Sequence, residues 1–304
     1  MSTVDIDVQT RRSGRPVWDE PPTPAGRVIK ILVLLAVVLA VLIPVWTVLI
    51  TSLSSREAIN DAGGLVFVPR GITFEAYVTI LAGGTVTKAL LFTTLLTVVG
   101  TAVSLGFTIL AAYGLSRPGS VGHRVLLFFF LLTFLIYPGL VPSYLVVTGL
   151  GLKDSMWALI LPAAVSVFNL VVLRAFFQNV PQELLDSARI DGAGELHILV
   201  RIVLPLAKAA VAVVGLFYAV GYWNTWFSAL LYIDDNAKFP IQRVLQNFIL
   251  QNQAPQFGGF QQTLPPSEAI KMAVVVMTIL PIVIVYPFVQ RHFIKGVILG
   301  AIKG

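Results

Sequence analysis

The chain has 304 residues, of which 57% are hydrophobic and only 12% charged, and its mean hydropathy is +0.86. So little charge cannot cover the surface of a soluble domain of this length, which excludes a soluble globular protein and points to the membrane. There is no cysteine, so a disulfide framework and thiol chemistry are excluded, and the net charge of +6 is informative only through where its basic residues fall.

Residues 1–26 combine Pro, Arg and acids and are expected to form a disordered tail ahead of a membrane domain over 27–304. Uncharged runs of 19 residues or more then occupy 31–55, 89–116, 125–152, 155–173, 209–233, 244–267 and 272–290. Crossing the hydrocarbon core takes about 20 apolar residues, so every run passes on length. The run 244–267, VLQNFILQNQAPQFGGFQQTLPPS, fails on content, because its amides would be costly in lipid. The remaining runs predict an all-α polytopic membrane protein with six transmembrane helices and both termini on one side. The first run starts late and is long enough to span, so it reads as a signal anchor rather than a cleavable signal peptide.

Lys and Arg set the orientation. With the N-terminus in the cytoplasm, the cytoplasmic segments are 1–30, 116–124, 174–208 and 291–304, and they hold 14 of the 21 basic residues. The acids split 8 to 7, so the bias lies in the positive residues, as the positive-inside rule requires. The net charge therefore encodes orientation, and nucleic acid is set aside as a partner. The large external regions are 52–85 and 234–268.

The longest internal cytoplasmic loop contains VPQELLDSARIDGAGELHILVRIVLP, residues 180–205. Asn179 and Pro181 signal a helix start, and Gln182, Glu183 and Asp186 suit its positive N-terminal end. Leu184, Leu185 and Ala188 give it a short apolar stripe. Asp191-Gly192 breaks it, because Gly tolerates the left-handed turn. A second helix then runs from about Gly194 to Pro205, at the mouth of the fifth span. Physics alone leaves open whether this elbow only anchors a loop at the interface or docks a partner.

The spacing resembles the EAA loop of ABC importer permeases, in which Glu-Ala-Ala, three residues, Gly and nine residues precede Ile-x-Leu-Pro. Asp186-Ser187-Ala188, Gly192 and Ile202-Val203-Leu204-Pro205 keep those offsets, with Asp186 in place of Glu and Ser187 in place of the first Ala. The resemblance extends to FLIYPGLVPSYLVVTGLGLKDSMWALILP from Phe134 and to YPFVQRHFIKGVILGAIKG from Tyr286, where it is to the oligosaccharide-importing branch of the carbohydrate permeases. It implies a type I ABC importer permease fold over 27–304 in a prokaryotic cell membrane. It also implies a second homologous permease subunit, two ATPase subunits that bind the ATP and Mg, and an extracytoplasmic solute-binding protein. Glu183, Asp186, Ala188, Asp191, Gly192, Ala193, Ile202, Leu204 and Pro205 would then carry the contact with the ATPase, with Asp186 or Glu183 facing a basic residue of that partner. For Arg189 a solvated or headgroup-facing charge fits at least as well as a coupling role. The tail 291–304 would reach toward the ATPase pair.

No catalytic machinery is expected in this chain. It has no Gly-Lys-Ser/Thr phosphate loop, and His123, His197 and His292 fall in different segments, so no cofactor or metal is expected here. No charge interrupts a span, which argues against a proton relay. Aromatic faces and amides suit sugars. Tyr137, Tyr144, Asn169, Tyr218, Tyr222 and Asn224 are the candidates for the substrate path, while Trp223, Trp226 and Tyr232 also fit a membrane-interface belt. Gln246, Asn247, Gln251 and Gln253 are candidate contacts for the binding protein. A permease for another solute, such as a peptide or phosphonate, and a stand-alone secondary transporter are the alternatives.

Overall fold

The computed structural model of the chain describes residues 23–82, 84–117, 119–120, 122–136, 138–250 and 267–301. Tyr137, Gln251, Gln253 and most of the N-terminal tail lie outside the described residues. Among the described residues the named elements are all helical, as the alternation of apolar runs and short polar breaks predicts.

The chain divides between Thr47 and Val48. The first unit is described by most of helix α1 (Pro24–Ser52), where Pro24 takes the first helical position, at which its missing N–H costs nothing. Its apolar side chains from Val28 to Trp46 are exposed, as suits a helix solvated by lipid.

In the second unit, α2 (Arg56–Asp61) and α3 (Glu75–Leu81) lie within the region expected as the first external loop. They are followed by α4 (Thr85–Ser116), α5 (His123–Leu135) and α6 (Leu140–Gly149). Next come α7 (Trp157–Ile160), α8 (Val167–Gln178), α9 (Gln182–Ile190), α10 (Glu195–Ile198) and α11 (Leu204–Leu206). The last four are α12 (Lys208–Trp223), α13 (Phe227–Tyr232), α14 (Ile241–Leu250) and α15 (Ser267–Ala301).

Six spans result, but only α1, α4 and α15 are continuous. The other three are α5 with α6 bent at 117°, α7 through Ala163 with α8 bent at 53°, and α12, which the loop helix Glu195–Leu206 meets at 88°. The expectation of single runs over 125–152, 155–173 and 209–233 is corrected accordingly. Pro138 and a left-handed Gly139 (φ 87°) separate α5 from α6. Pro162 tightens the chain into a 3₁₀ turn over Leu161–Ala163 before Ser166 caps α8. The fifth run ends its first helix at Trp223, and α13 is a separate short helix.

Helix α4 is the spine of the second unit. Gly100, Ser104, Thr108 and Ala112, four residues apart, are all buried and form a stripe of small side chains facing α12. Small residues at this spacing let two helices approach closely. A Cβ at Gly100 would stand 2.9 Å from the Tyr222 ring. The two polar members of the stripe are satisfied across the interface: Ser104 Oγ lies 2.7 Å from the Tyr222 hydroxyl, and Thr108 Oγ1 lies 2.6 Å from that of Tyr218. On its other side α12 packs against α15, where the Trp223 indole N–H donates to the Thr278 carbonyl at 3.0 Å. Trp223 and Tyr232, 6% exposed each, are therefore buried in the protein and do not form a membrane belt.

Candidate functional site

The elbow is where the sequence pattern concentrates its polar residues. Asn179 closes α8 rather than opening α9, since its φ/ψ are helical, its N–H donates to Phe176 O at 3.2 Å and the next N–H, of Val180, donates to Phe177 O at 3.4 Å. Pro181 alone precedes α9, with no side-chain cap, and Glu183 sits in the first turn where the helix dipole favours an acid. Of the expected stripe, Leu185 is buried at 1% exposure and Ala188 packs partly against the core, but Leu184 points outward at 47%.

Gly192 has φ +82° and ends α9 in a Schellman turn. Its N–H donates to Arg189 O at 3.0 Å, and that of Ala193 donates to Ala188 O at 2.9 Å. Ala188 and Ala193 then pack against the core, so the small residues of the pattern form the inside of the bend. Asp191 is the last residue before the turn.

Arg189 holds the bend closed, in place of the solvated or headgroup-facing charge expected for it. Its guanidinium reaches Asp186 Oδ1 at 3.1 Å and Glu195 Oε1 at 3.0 Å. Asp186 also accepts from Gln182 Nε2 at 3.0 Å. The other oxygen of Glu195 accepts from the Tyr113 hydroxyl of α4 at 2.5 Å, and the Arg117 guanidinium stands 4.4 Å above the Tyr113 ring. The Tyr113 hydroxyl, with Arg189 adding to it, holds the Glu195 carboxyl below its ordinary range.

Beyond Glu195 the chain widens into a π turn over Leu199–Val203. Pro205 supplies the reason: it lacks the N–H that would bond the Arg201 carbonyl, and its ring crowds that group. Ile198, Leu199 and Val203 are the buried anchors. Ile202 and Leu204 are partly buried and pack against the core, and Pro205 is exposed.

A second feature is a cavity of about 600 Å³ between α8, α12 and α13, with Asn169, Tyr218, Tyr222 and Asn224 among its lining residues. No charged side chain lines it. The hydroxyls of both tyrosines are engaged within the protein. That of Tyr218 accepts from Ser166 N–H at 2.9 Å beside its Thr108 contact, and that of Tyr222 donates to Ile160 O at 3.3 Å beside its Ser104 contact. They therefore build the wall, and Asn169, 5% exposed, is the buried amide in it. Asn224 donates to Val220 O and accepts from Gln242 at 3.3 Å. Tyr144 is not at this wall; it stacks on Tyr232 with ring centroids 6.2 Å apart. Gln246 accepts from Arg243 at 2.8 Å, and the side-chain oxygen of Asn247 is buried without a hydrogen bond to the described residues.

The family model described as "Binding-protein-dependent transport system inner membrane component" matches residues 102–299, which include the elbow, the cavity wall and all but the last two residues of α15. The chain belongs to this family. Among relatives of the permease, the polygalacturonan/rhamnogalacturonan transport system permease protein YtcP of Bacillus subtilis is 45% identical over 79% of this chain and 85% of its own. Protein LplC of the same organism is 41% identical over 93% of this chain and 97% of its own. Among solved structures, the crystal structure of a bacterial ABC transporter importing the acidic polysaccharide alginate contains a chain that superposes with a TM-score of 0.83 at 32% identity. The match covers 90% of this chain and all of that one.

The permease has a further polar knot that sequence reasoning missed. Asp154, between α6 and α7, is the one non-glycine residue with positive φ (58°) among the described residues. Its carboxylate accepts the backbone N–H groups of Asp234 at 2.6 Å and Asp235 at 3.0 Å. Its N–H donates to Tyr232 O, its carbonyl accepts from Lys238 Nζ, and neighbouring Lys153 pairs with Asp234 at 2.6 Å. These bonds clasp the α6–α7 connection to the segment after α13. The N–H groups of Asp234 and then Asp235 hold the Asp154 carboxyl below its usual value. The clasp joins residues 80 apart, so no local pattern announces it. The small-residue stripe of α4 was missed as well, although its repeat every four residues is a local signal that could have found it.

Proposed function

We propose that this permease forms half of the translocation path of an ATP-driven importer for a sugar or oligosaccharide, with both termini and the elbow in the cytoplasm. A second permease subunit, two ATPase subunits that bind ATP and Mg, and an extracytoplasmic binding protein complete the machine. The observation that carries this reading is the elbow. Its inner face is pinned by Leu185, Ile198, Leu199 and Val203, while Leu184, Ile190 and Leu196 project outward at 47%, 86% and 69% exposure beside Glu183 and Asp186. Apolar side chains exposed on a rigid, charged bend suit insertion into a groove on a partner. Asp186 is already paired with Arg189, which makes Glu183 the acid with the freer choice of partner. A carbohydrate is favoured by the uncharged, aromatic and amide wall of the cavity and by the polysaccharide names of the relatives.

The test is mild-detergent purification of the tagged permease from its own host, with mass spectrometry of what it retains. Wild type should bring an ATPase and a second permease, and Ile190→Asp should lose the ATPase while keeping the permease. Wild type recovered alone, under conditions that keep other importers whole, would overturn the reading.

A further inference from the structure

The C-terminal end of α4 and the elbow are joined through the Tyr113 hydroxyl, which lies 2.5 Å from the Glu195 carboxylate and 3.3 Å from the Glu195 backbone carbonyl. Each partner is fixed from its own side. Tyr113 is 8% exposed, sits edge-on to Phe177 of α8 with ring centroids 6.5 Å apart, and lies under Arg117. Glu195 opens α10 and is tied across the bend to Arg189, which is tied in turn to Asp186 of α9. The end of α4 is closed by Arg174 of α8, whose Nε donates to the Leu115 carbonyl at 2.8 Å. Along the same helix, Thr108 and Ser104 hold Tyr218 and Tyr222 of the cavity wall. Nearer its start, Thr93 Oγ1 accepts the backbone N–H of Ile241, the first residue of α14, at 2.8 Å. From Thr93 to Tyr113 is about 30 Å at 1.5 Å per residue, all within one unbroken helix.

We infer that Tyr113 and Glu195 are positioning residues of transport: they latch the elbow to α4, so that a displacement of the elbow moves α4 and the cavity wall as one body. The inference rests on the elbow being the ATPase-docking site. An ion pair across the bend alone would make the elbow stiff but leave it free to swing on the α11–α12 break at Ala207, where the chain turns by 88°. The Tyr113 bond adds to the apolar packing of Leu185, Ile198, Leu199 and Val203 a directional polar tie to a helix remote in sequence. Coupling then has a contiguous physical carrier rather than mere proximity.

The absence of cysteine from the chain makes the test direct. His197→Cys on the elbow and Leu110→Cys on α4, both exposed and outside the proposed docking face, are spin-labelled in the complex purified from the native host. Their distance distribution is measured without nucleotide and with MgATP plus vanadate. The wild-type background should show one narrow distance in both states. Tyr113→Phe keeps the ring and its contacts but loses the hydroxyl, and Glu195→Ala removes the side-chain acceptor. Either should retain the ATPase and the melting temperature, yet show a distribution roughly twice as wide with nucleotide. The two changes together should do little more than Tyr113→Phe alone. A wild-type distance that shifts by more than about 5 Å, one helical turn, would overturn the latch. So would an unchanged narrow distribution in both variants, or a loss of folding in both, which would leave only a structural role. Wild type that retains no ATPase would sink the elbow reading instead, a result the label distances do not produce.

Discussion

The elbow and the clasp are both polar knots centred on an aspartate or glutamate, and they sit toward opposite ends of α4. In the elbow the charged groups pair with one another through side chains, and the turn is made by a glycine that any observer of the sequence would mark. In the clasp the key carboxylate is satisfied by backbone N–H groups, and an aspartate itself adopts the left-handed conformation. The elbow leaves Ile190 and Leu196 unburied, as a surface that still needs a partner. The clasp closes on itself, so its carboxylate and backbone bonds join segments of the same chain. Similar chemistry therefore leaves an open apolar surface at one end and closes the chain on itself at the other. What separates the two is which groups remain unsatisfied.

Four experiments sharpen or break that contrast. The largest effect is expected inside the elbow, where Leu185→Ala empties a fully buried position and should cost about 2–5 kcal/mol. Leu184→Ala on the same helix should leave melting unchanged and weaken only ATPase retention. Equal effects from the two leucines would mean that the elbow has no distinct outer face. Next, Gly100→Ala forces a Cβ to 2.9 Å from the Tyr222 ring. It should destabilise by about 1–3 kcal/mol, read as a lower melting temperature, and damage both ends alike because they share α4.

Third, Gly192 has open space where a Cβ would go, so substitution there acts through the backbone alone. Gly192→Val should cost about 1–2 kcal/mol and release the ATPase. Gly192→Asn should be tolerated, because Asn visits the left-handed region readily.

The smallest effect is at the clasp. Asp154→Asn should keep the ATPase bound while speeding amide exchange over 233–238. Its pH dependence has a defined sign: the folded value is depressed, so the carboxylate stabilises above the ordinary aspartate value of about 3.9. That contribution is lost as pH falls through the lower, folded value. The melting difference between wild type and Asp154→Asn should therefore be full at neutral pH and vanish in strong acid. A gap that persists there would show that the carboxylate charge is not what holds the clasp.

The elbow was legible because its signals are local: a proline before the helix, a glycine six residues after Asp186, and a proline at the mouth of the next span. Even there the sequence misassigned Asn179, which closes one helix instead of opening another, since a residue between two helices can cap either. It also gave Arg189 to solvent or headgroups, because its partner Glu195 lies across a turn whose angle is a tertiary property. The tyrosines of α12 were read as possible sugar contacts. Which side of a buried helix faces a cavity and which faces Ser104 and Thr108 depends on the rotation of α12 against α4. The uncharged runs over 125–152 and 155–173 promised spans, but hydropathy sums composition and does not register a bend.

By itself the sequence determined the membrane class, the number of spans, the positive bias of one face and the position of the elbow. Each of these is a sum over residues or a spacing within one segment. The tertiary structure decided which carboxylates are paired, which aromatic hydroxyls are engaged, where the spans break, and that Tyr113 meets Glu195 and Asp154 meets Asp234. Those outcomes depend on which helices lie side by side. In a chain with so little charge, each polar contact between distant segments is set by packing geometry rather than by any local propensity.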